Sequence, residues 1–299
     1  MLRSLYAGVS GMRSNQTKMD VLGNNIANVN TTGYKSGRVR FQDMLSQTLS
    51  SAQSPNAGSL GGVNAQQVGL GVKVGAIDTI MTDGALQPTN RDLDLAVEGN
   101  GFFMVSDGAN MNFYTRDGAF YRDYEGNLVN AGGYRVQGYR PGAYGDQIAN
   151  PPTQGIESLK IENRIEVDSD PDADGNVTRI NVELQTFSID GSGKIIGVYS
   201  DGKAYELGQL ALSKFQNTAG LEKVGNNNYR ASNNSGAPET LVANSNGYGI
   251  IRQGVLEMSN VDLANEFTEL IVTSRSYQAN SRTITTSDEM LQELINLKR

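Results

Sequence analysis

The sequence predicts an α+β protein: long paired N- and C-terminal helices, coiled-coil-like, flanking a mainly antiparallel β domain. Three observations predict it. Near the N-terminus Leu5, Val9, Met12, Met19, Leu22, Ile26 and Val29 recur in steps of four, three, seven, three, four and three. Near the C-terminus Leu263, Phe267, Leu270, Tyr277, Ile284, Leu291 and Ile295 keep the same rhythm, interrupted only by the small or polar Ser274, Ser281 and Asp288. Such heptad-like spacing makes one helix seek another. Between them, short apolar runs alternate with Asp-Gly, Gly-Gly and Asn-rich turns, the signature of strands.

Composition narrows the function. The 299 residues suffice for two domains and a sizeable core. A formal net charge of −7 argues against nucleic acid or an anionic membrane as partner. No apolar run approaches eighteen residues, so no membrane insertion is expected, and the opening MLRSLYAGVSGMRSNQ lacks the apolar core of a secretory signal. The chain contains neither cysteine nor histidine. That excludes Ser-His-Asp and Cys-His catalysis and the usual zinc sites. Neither an enzyme activity nor a cofactor is expected.

Taken in order, the first helix is expected from Arg3 to Val29, roughly 40 Å at 1.5 Å per residue. Gly8, Gly11 and Gly23 and three asparagines make it a poor autonomous helix, so packing must supply its helicity. Gly8 and Gly11 would admit a close neighbour. Thr31, Thr32 and Gly33 end it, with Gly33 suited to a left-handed cap. Residues 34–75 read as a connector, with Phe41–Leu45 as a short strand or turn followed by a Gly/Ser-rich stretch. Gly69, Gly71 and Gly75 do not have the spacing of a dinucleotide fingerprint. The β domain is expected over residues 76–140 and 183–257. Leu93, Leu95 and Val97 alternate in a half-buried strand, Gly99-Asn100-Gly101 turns it into Phe102–Val105, and aromatics supply the core. Residues 141–182, rich in proline and acid, read as an insertion at the domain tip. Residues 258–299 hold the second helix, capped at Ser259-Asn260 with Asp262 in its first turn and running to Leu297. Thr286 and Glu289 have capping-box spacing, which marks a possible break.

Two clusters carry potential chemistry. Asp170-Pro171-Asp172-Ala173-Asp174-Gly175 matches the start of a calcium loop, but Asn181 stands where its bidentate glutamate belongs. An acidic solvated turn is the simpler reading, and no metal site is expected. Glu157, Glu162 and Glu166 could pair as glycosidase carboxylates, although nothing in the sequence gives them a pocket.

Residues 8–45, GVSGMRSNQTKMDVLGNNIANVNTTGYKSGRVRFQDML, resemble the N-terminal signature of the bacterial flagellar rod and hook family. Residues 256–299 resemble its C-terminal signature, and RDLDLAVEGNGFF, residues 91–103, its internal motif. The resemblance implies a structural subunit that self-assembles into a hollow helical homopolymer, its paired terminal helices forming the inner tube. It implies Leu5, Val9, Met12, Met19, Leu22 and Ile26 with the C-terminal stripe as assembly interface. Phe41 and Leu45 match the family's export pattern. Within the family, VGLGVKVGAI and SNVDLANEFTELI lean towards a short member forming the hook, the flexible joint that transmits torque to the filament. The distal rod of the basal body is the alternative. A calcium-dependent adhesion module and a carbohydrate-acting enzyme are remoter ones. The implied partners are other copies, neighbouring rod, hook-cap and hook–filament junction proteins, and the flagellar export apparatus. The implied location is the flagellum, outside the cytoplasm after flagellum-specific export.

Overall fold

The computed structural model describes residues 2–54, 61–108, 111–142, 155–168 and 179–297. The chain forms two compact units, Met1–Val29 with Ser36–Ile80 and Val261–Arg299, and Asn30–Lys35 with Met81–Asn260.

The first unit holds both helices, α1 (Leu2–Ala27) and α2 (Leu263–Asn296). They lie antiparallel: Ser4 meets Ser287, Lys18 meets Glu269 and Asn25 meets Glu266. α1 gives out at Ala27, two residues before the expected end, and Gly33 takes its left-handed φ of 65° in the turns beyond. α2 starts one turn later than expected. Asp262 is its N-cap, accepting from the backbone N–H groups of Ala264 and Asn265. The expected break does not occur: Thr286 turns its hydroxyl back to the carbonyls of Arg282 and Thr283, and the helix runs through.

The stretch expected as a connector is strand. Gly37–Asp43 pairs antiparallel with Val72–Thr79, and Ser46–Ser50 with Gln66–Gly69. Arg40 Nε reaches Asp78 Oδ2 across the first pair at 2.8 Å. The Gly/Ser-rich composition between the partners hides the pairing, because each strand's mate lies beyond that stretch.

The second unit is β. Among the described residues, thirteen strands form one sheet, its pairings antiparallel. Phe102–Ser106 lies at its centre, flanked by Asn112–Thr115, Arg135–Tyr139 and Ala204–Lys214. Side chains of a strand point alternately to opposite faces. Phe103 and Val105 therefore enter one core with Phe120, Leu128 and Leu210, while Phe102 and Met104 enter another with Tyr114, Phe215 and Tyr229. In Leu95–Glu98 the first three residues are all buried rather than alternately so, and Ile250–Gln253 pairs with this strand antiparallel.

Parts of the expected insertion are integral to this sheet. Ile156–Ser158 pairs with Arg135–Tyr139, and Arg164–Asp168 with Arg179–Ile189. Leu159, Ile161 and Ile165 are buried in the main core. The flanking prolines and aspartates mask this short apolar alternation. The candidate calcium loop, Asp170 to Gly175, lies outside the described residues.

Candidate assembly interface

The two terminal helices meet along a seam of small and polar residues. On α1, Ser4, Gly11, Lys18 and Asn25 recur every seven positions, with Gly8, Asn15 and Leu22 between them. On α2, Glu266, Thr273, Asn280 and Ser287 recur likewise. Gly8, Gly11, Ser14, Leu22 and Asn25 are buried, as are Thr273 and Ser287. The glycines set the approach distance. A Cβ on Gly11 would lie 2.6 Å from Asn280 Nδ2, and one on Gly8 3.1 Å from Ile284 Cγ1. Asn25 braces this unit in two directions, exchanging hydrogen bonds of 2.9 Å with the Gly37 backbone and donating to Glu266 at 3.2 Å. Lys18 and Glu269 pair at 2.5 Å on the surface.

Apart from Leu22 and Ile284, the apolar stripes expected at this contact sit beside it. Of the N-terminal set, Leu22 is buried, while Leu5, Val9, Met12, Met19 and Ile26 are half-buried. Of the C-terminal set, Leu270, Ile284 and Leu291 are half-buried, while Leu263, Phe267, Tyr277 and Ile295 are exposed. At Gly8 and Gly11 the side chains of Asn280, Thr283 and Ile284 fill the space that a larger residue would need, so the contact centres there and most of the larger side chains lie beside it. Ile271, Val272, Met290 and Leu294 add further exposed apolar surface to α2. Gly8 and Gly11 are legible in the sequence as points of close approach, and the seven-residue recurrence of Thr273, Asn280 and Ser287 is the signal that marks their partners. Phe41 stands in the strand Gly37–Asp43, and Leu45, just beyond it, is 84% exposed.

A second constellation, unanticipated from sequence, lies within the β unit. Lys35 Nζ and Glu257 Oε1 pair at 2.6 Å with both side chains out of solvent. Lys35 also donates to the Thr82 carbonyl at 2.7 Å, and the Gly84 N–H donates to the same carboxylate oxygen at 3.0 Å. Arg116 Nη1 approaches the other oxygen at 3.4 Å, and its Nη2 donates to the Gly99 carbonyl at 2.7 Å. Burial draws the Lys35 pKa below its ordinary value, against the pull of the Glu257 charge. This cluster ties residues 30–35, 81–84 and 257–260 to one another, the segments through which the chain enters and leaves the unit. No local pattern announces a pair separated by 222 positions.

The candidate carboxylates do not converge. Glu157 and Glu166 are exposed on separate strands, and Glu162 pairs with Arg140 Nη2 at 3.5 Å. Among the described residues, no three acidic side chains gather as they would around a metal ion.

The flagellar basal-body rod protein FlgG of Bacillus subtilis is 45% identical to this chain over 300 residues, covering all of both proteins. The chain belongs to the flagellar rod and hook family. Residues 5–35 match the family described as flagella basal body rod protein, residues 96–197 the flagellar hook protein FlgE/F/G D1 domain, and residues 252–297 the flagellar basal body rod FlgEFG protein C-terminal. The first covers α1 from residue 5 onwards, and the last covers the whole of α2. The hook protein FlgE of Borreliella burgdorferi is 34% identical over 443 residues, and that of Treponema pallidum 33% over 465, each alignment covering all of both proteins. As a rod and hook family protein the chain is a structural component of the flagellum, not an enzyme, and a member of a self-assembling class.

Proposed function

We propose that this chain is a rod subunit of the flagellar basal body, the distal-rod alternative rather than the hook. The observation that carries this is length. The rod protein FlgG aligns end to end over 300 residues, whereas the two hook proteins stretch their alignments to 443 and 465 positions with sequence this chain lacks. A hook bends because its outer domains slide; the absence of room for a further domain between residues 141 and 182 suits a straight, stiffer shaft. The hook reading keeps one specific support, 54% identity over 141 residues to the Helicobacter mustelae hook protein, a match confined to 46% of this chain.

In the assembly, the terminal helices line the inner tube in coiled-coil-like pairing, and the predicted stripes meet those of neighbouring copies. Exposed apolar faces of this extent seek a partner, and each leucine-sized side chain buried contributes roughly 1.5–3 kcal/mol. The neighbours are other rod subunits and, at the distal end, the hook. Export proceeds through the flagellar apparatus, with Phe41 and Leu45 read by it in the unfolded chain. Negative-stain microscopy of the purified protein under polymerising conditions tests the reading. Straight tubes are expected; curved tubes would return the chain to the hook.

A further inference from the structure

One face of α1 is not occupied by α2. Tyr6 and Val9, with Val72 and Val74 from a paired strand and Met44 and Leu70 from the links between strands, line an apolar groove of about 610 Å³. Its rim carries Arg3, Arg13 and Lys73 and no acidic residue. Among the described residues none of these three cations has an ion-pair partner. Tyr6 stands 72% exposed over the trough.

The end of α2 has the opposite character. α2 has 34 residues against 26 in α1. Because Ser4 meets Ser287, the last two turns of α2 run on past the start of α1. They expose Met290, Leu294, Ile295 and Leu297 at 48, 51, 66 and 83%. From residue 283 to 297 the charged residues are all acidic, Asp288, Glu289 and Glu293, with the basic Lys298 and Arg299 following at the very end of the chain. The groove runs from Arg3 towards Thr17, while α2 leaves α1 in the other direction. An unbroken helix therefore carries its tip away from its own groove.

We infer that the groove receives the C-terminal end of α2 from a second copy, aliphatic side chains in the trough and carboxylates against the basic rim. The contact is heterologous, groove to tip, so it repeats along a row of subunits without closing on itself. The apolar burial holds the contact and the charges select register and direction. The inference rests on the self-assembly reading above.

The native chain contains no cysteine, so engineered thiols report the contact directly. Full-length protein carrying both Tyr6→Cys and Leu294→Cys is polymerised, oxidised and run under non-reducing denaturing conditions. A ladder of covalent dimers, trimers and longer chains is expected from tubes and none from monomer. A mixture of the two single variants should stop at the dimer. A charge test runs beside it. Arg13→Glu should raise the concentration needed for assembly about tenfold, and Glu293→Arg in the same chain should restore it. Normal tubes that show neither the ladder nor the rescue overturn the groove contact while leaving self-assembly intact. A ladder from Tyr6→Cys with Phe267→Cys in place of Leu294→Cys assigns the groove to the other end of α2 and also overturns it. Failure of the native protein to polymerise at any concentration removes the self-assembly reading and this inference with it.

Discussion

The helical unit and the β unit solve opposite problems. The β unit encloses a core of large apolar side chains: Phe103, Phe120, Leu128, Val136, Ile195 and Leu210 are all shielded from water. The helical unit leaves Tyr6, Phe267, Ile271, Met290, Leu294 and Ile295 exposed and joins its helices through glycine, serine, threonine and asparagine. A seam of small residues gains little from hydrophobic transfer, since that term scales with the apolar area removed from water. The difference teaches where each unit draws its stability. The β unit carries its own core, whereas the helices leave much of their apolar surface open to water.

The comparison breaks most visibly at the β core. Phe103 is fully buried, edge-on to Phe120 at 5.2 Å between ring centroids. Phe103→Ala should cost about 3–5 kcal/mol, measured as a lower urea midpoint of the monomer by tyrosine near-UV dichroism. A loss below 1 kcal/mol would mean that this core is not what holds the unit.

The buried ion pair comes next. Glu257→Gln leaves the Lys35 ammonium without its countercharge in a site closed to water. Removing one member of such a pair costs about 3 kcal/mol or more. The double change Lys35→Met with Glu257→Leu should recover part of that loss, because it removes both charges. If the single variant melts like the native protein, the three chain segments are held by something other than this cluster.

Gly11→Leu probes the helical unit alone. Its Cβ would lie 2.6 Å from Asn280 Nδ2, so the Asn280 side chain must move, and the larger leucine branch then pushes the helices apart. The expected result separates the units: tubes are lost and the monomer's helical far-UV signal falls, while the β-unit melt stays within about 0.5 kcal/mol of native, as for sites remote from the change. A lowered β-unit midpoint would show the two units to be energetically coupled.

The smallest effect belongs to the surface pair. Lys18 and Glu269 are partly solvated, their side chains 23 and 54% exposed. Water and salt screen such a pair, and Lys18→Ala should change stability by less than about 1 kcal/mol, with the difference fading in high salt.

What the sequence by itself determined was local. Seven-residue apolar recurrence is enough to place helices at both ends, and alternation with Gly and Asn turns is enough to place strands such as Phe102–Ser106. The tertiary structure alone decided the pairings. It centred the helix contact on Gly8, Gly11, Asn280 and Ser287 instead of on the apolar stripe beside them. It joined Gly37–Asp43 to Val72–Thr79 across a stretch of featureless composition, and Lys35 to Glu257 across most of the chain. The reason is physical. Periodicity is a property of neighbouring residues, but which face of a helix becomes the seam depends on how closely a distant backbone can approach it. That distance is set by residues on both partners at once.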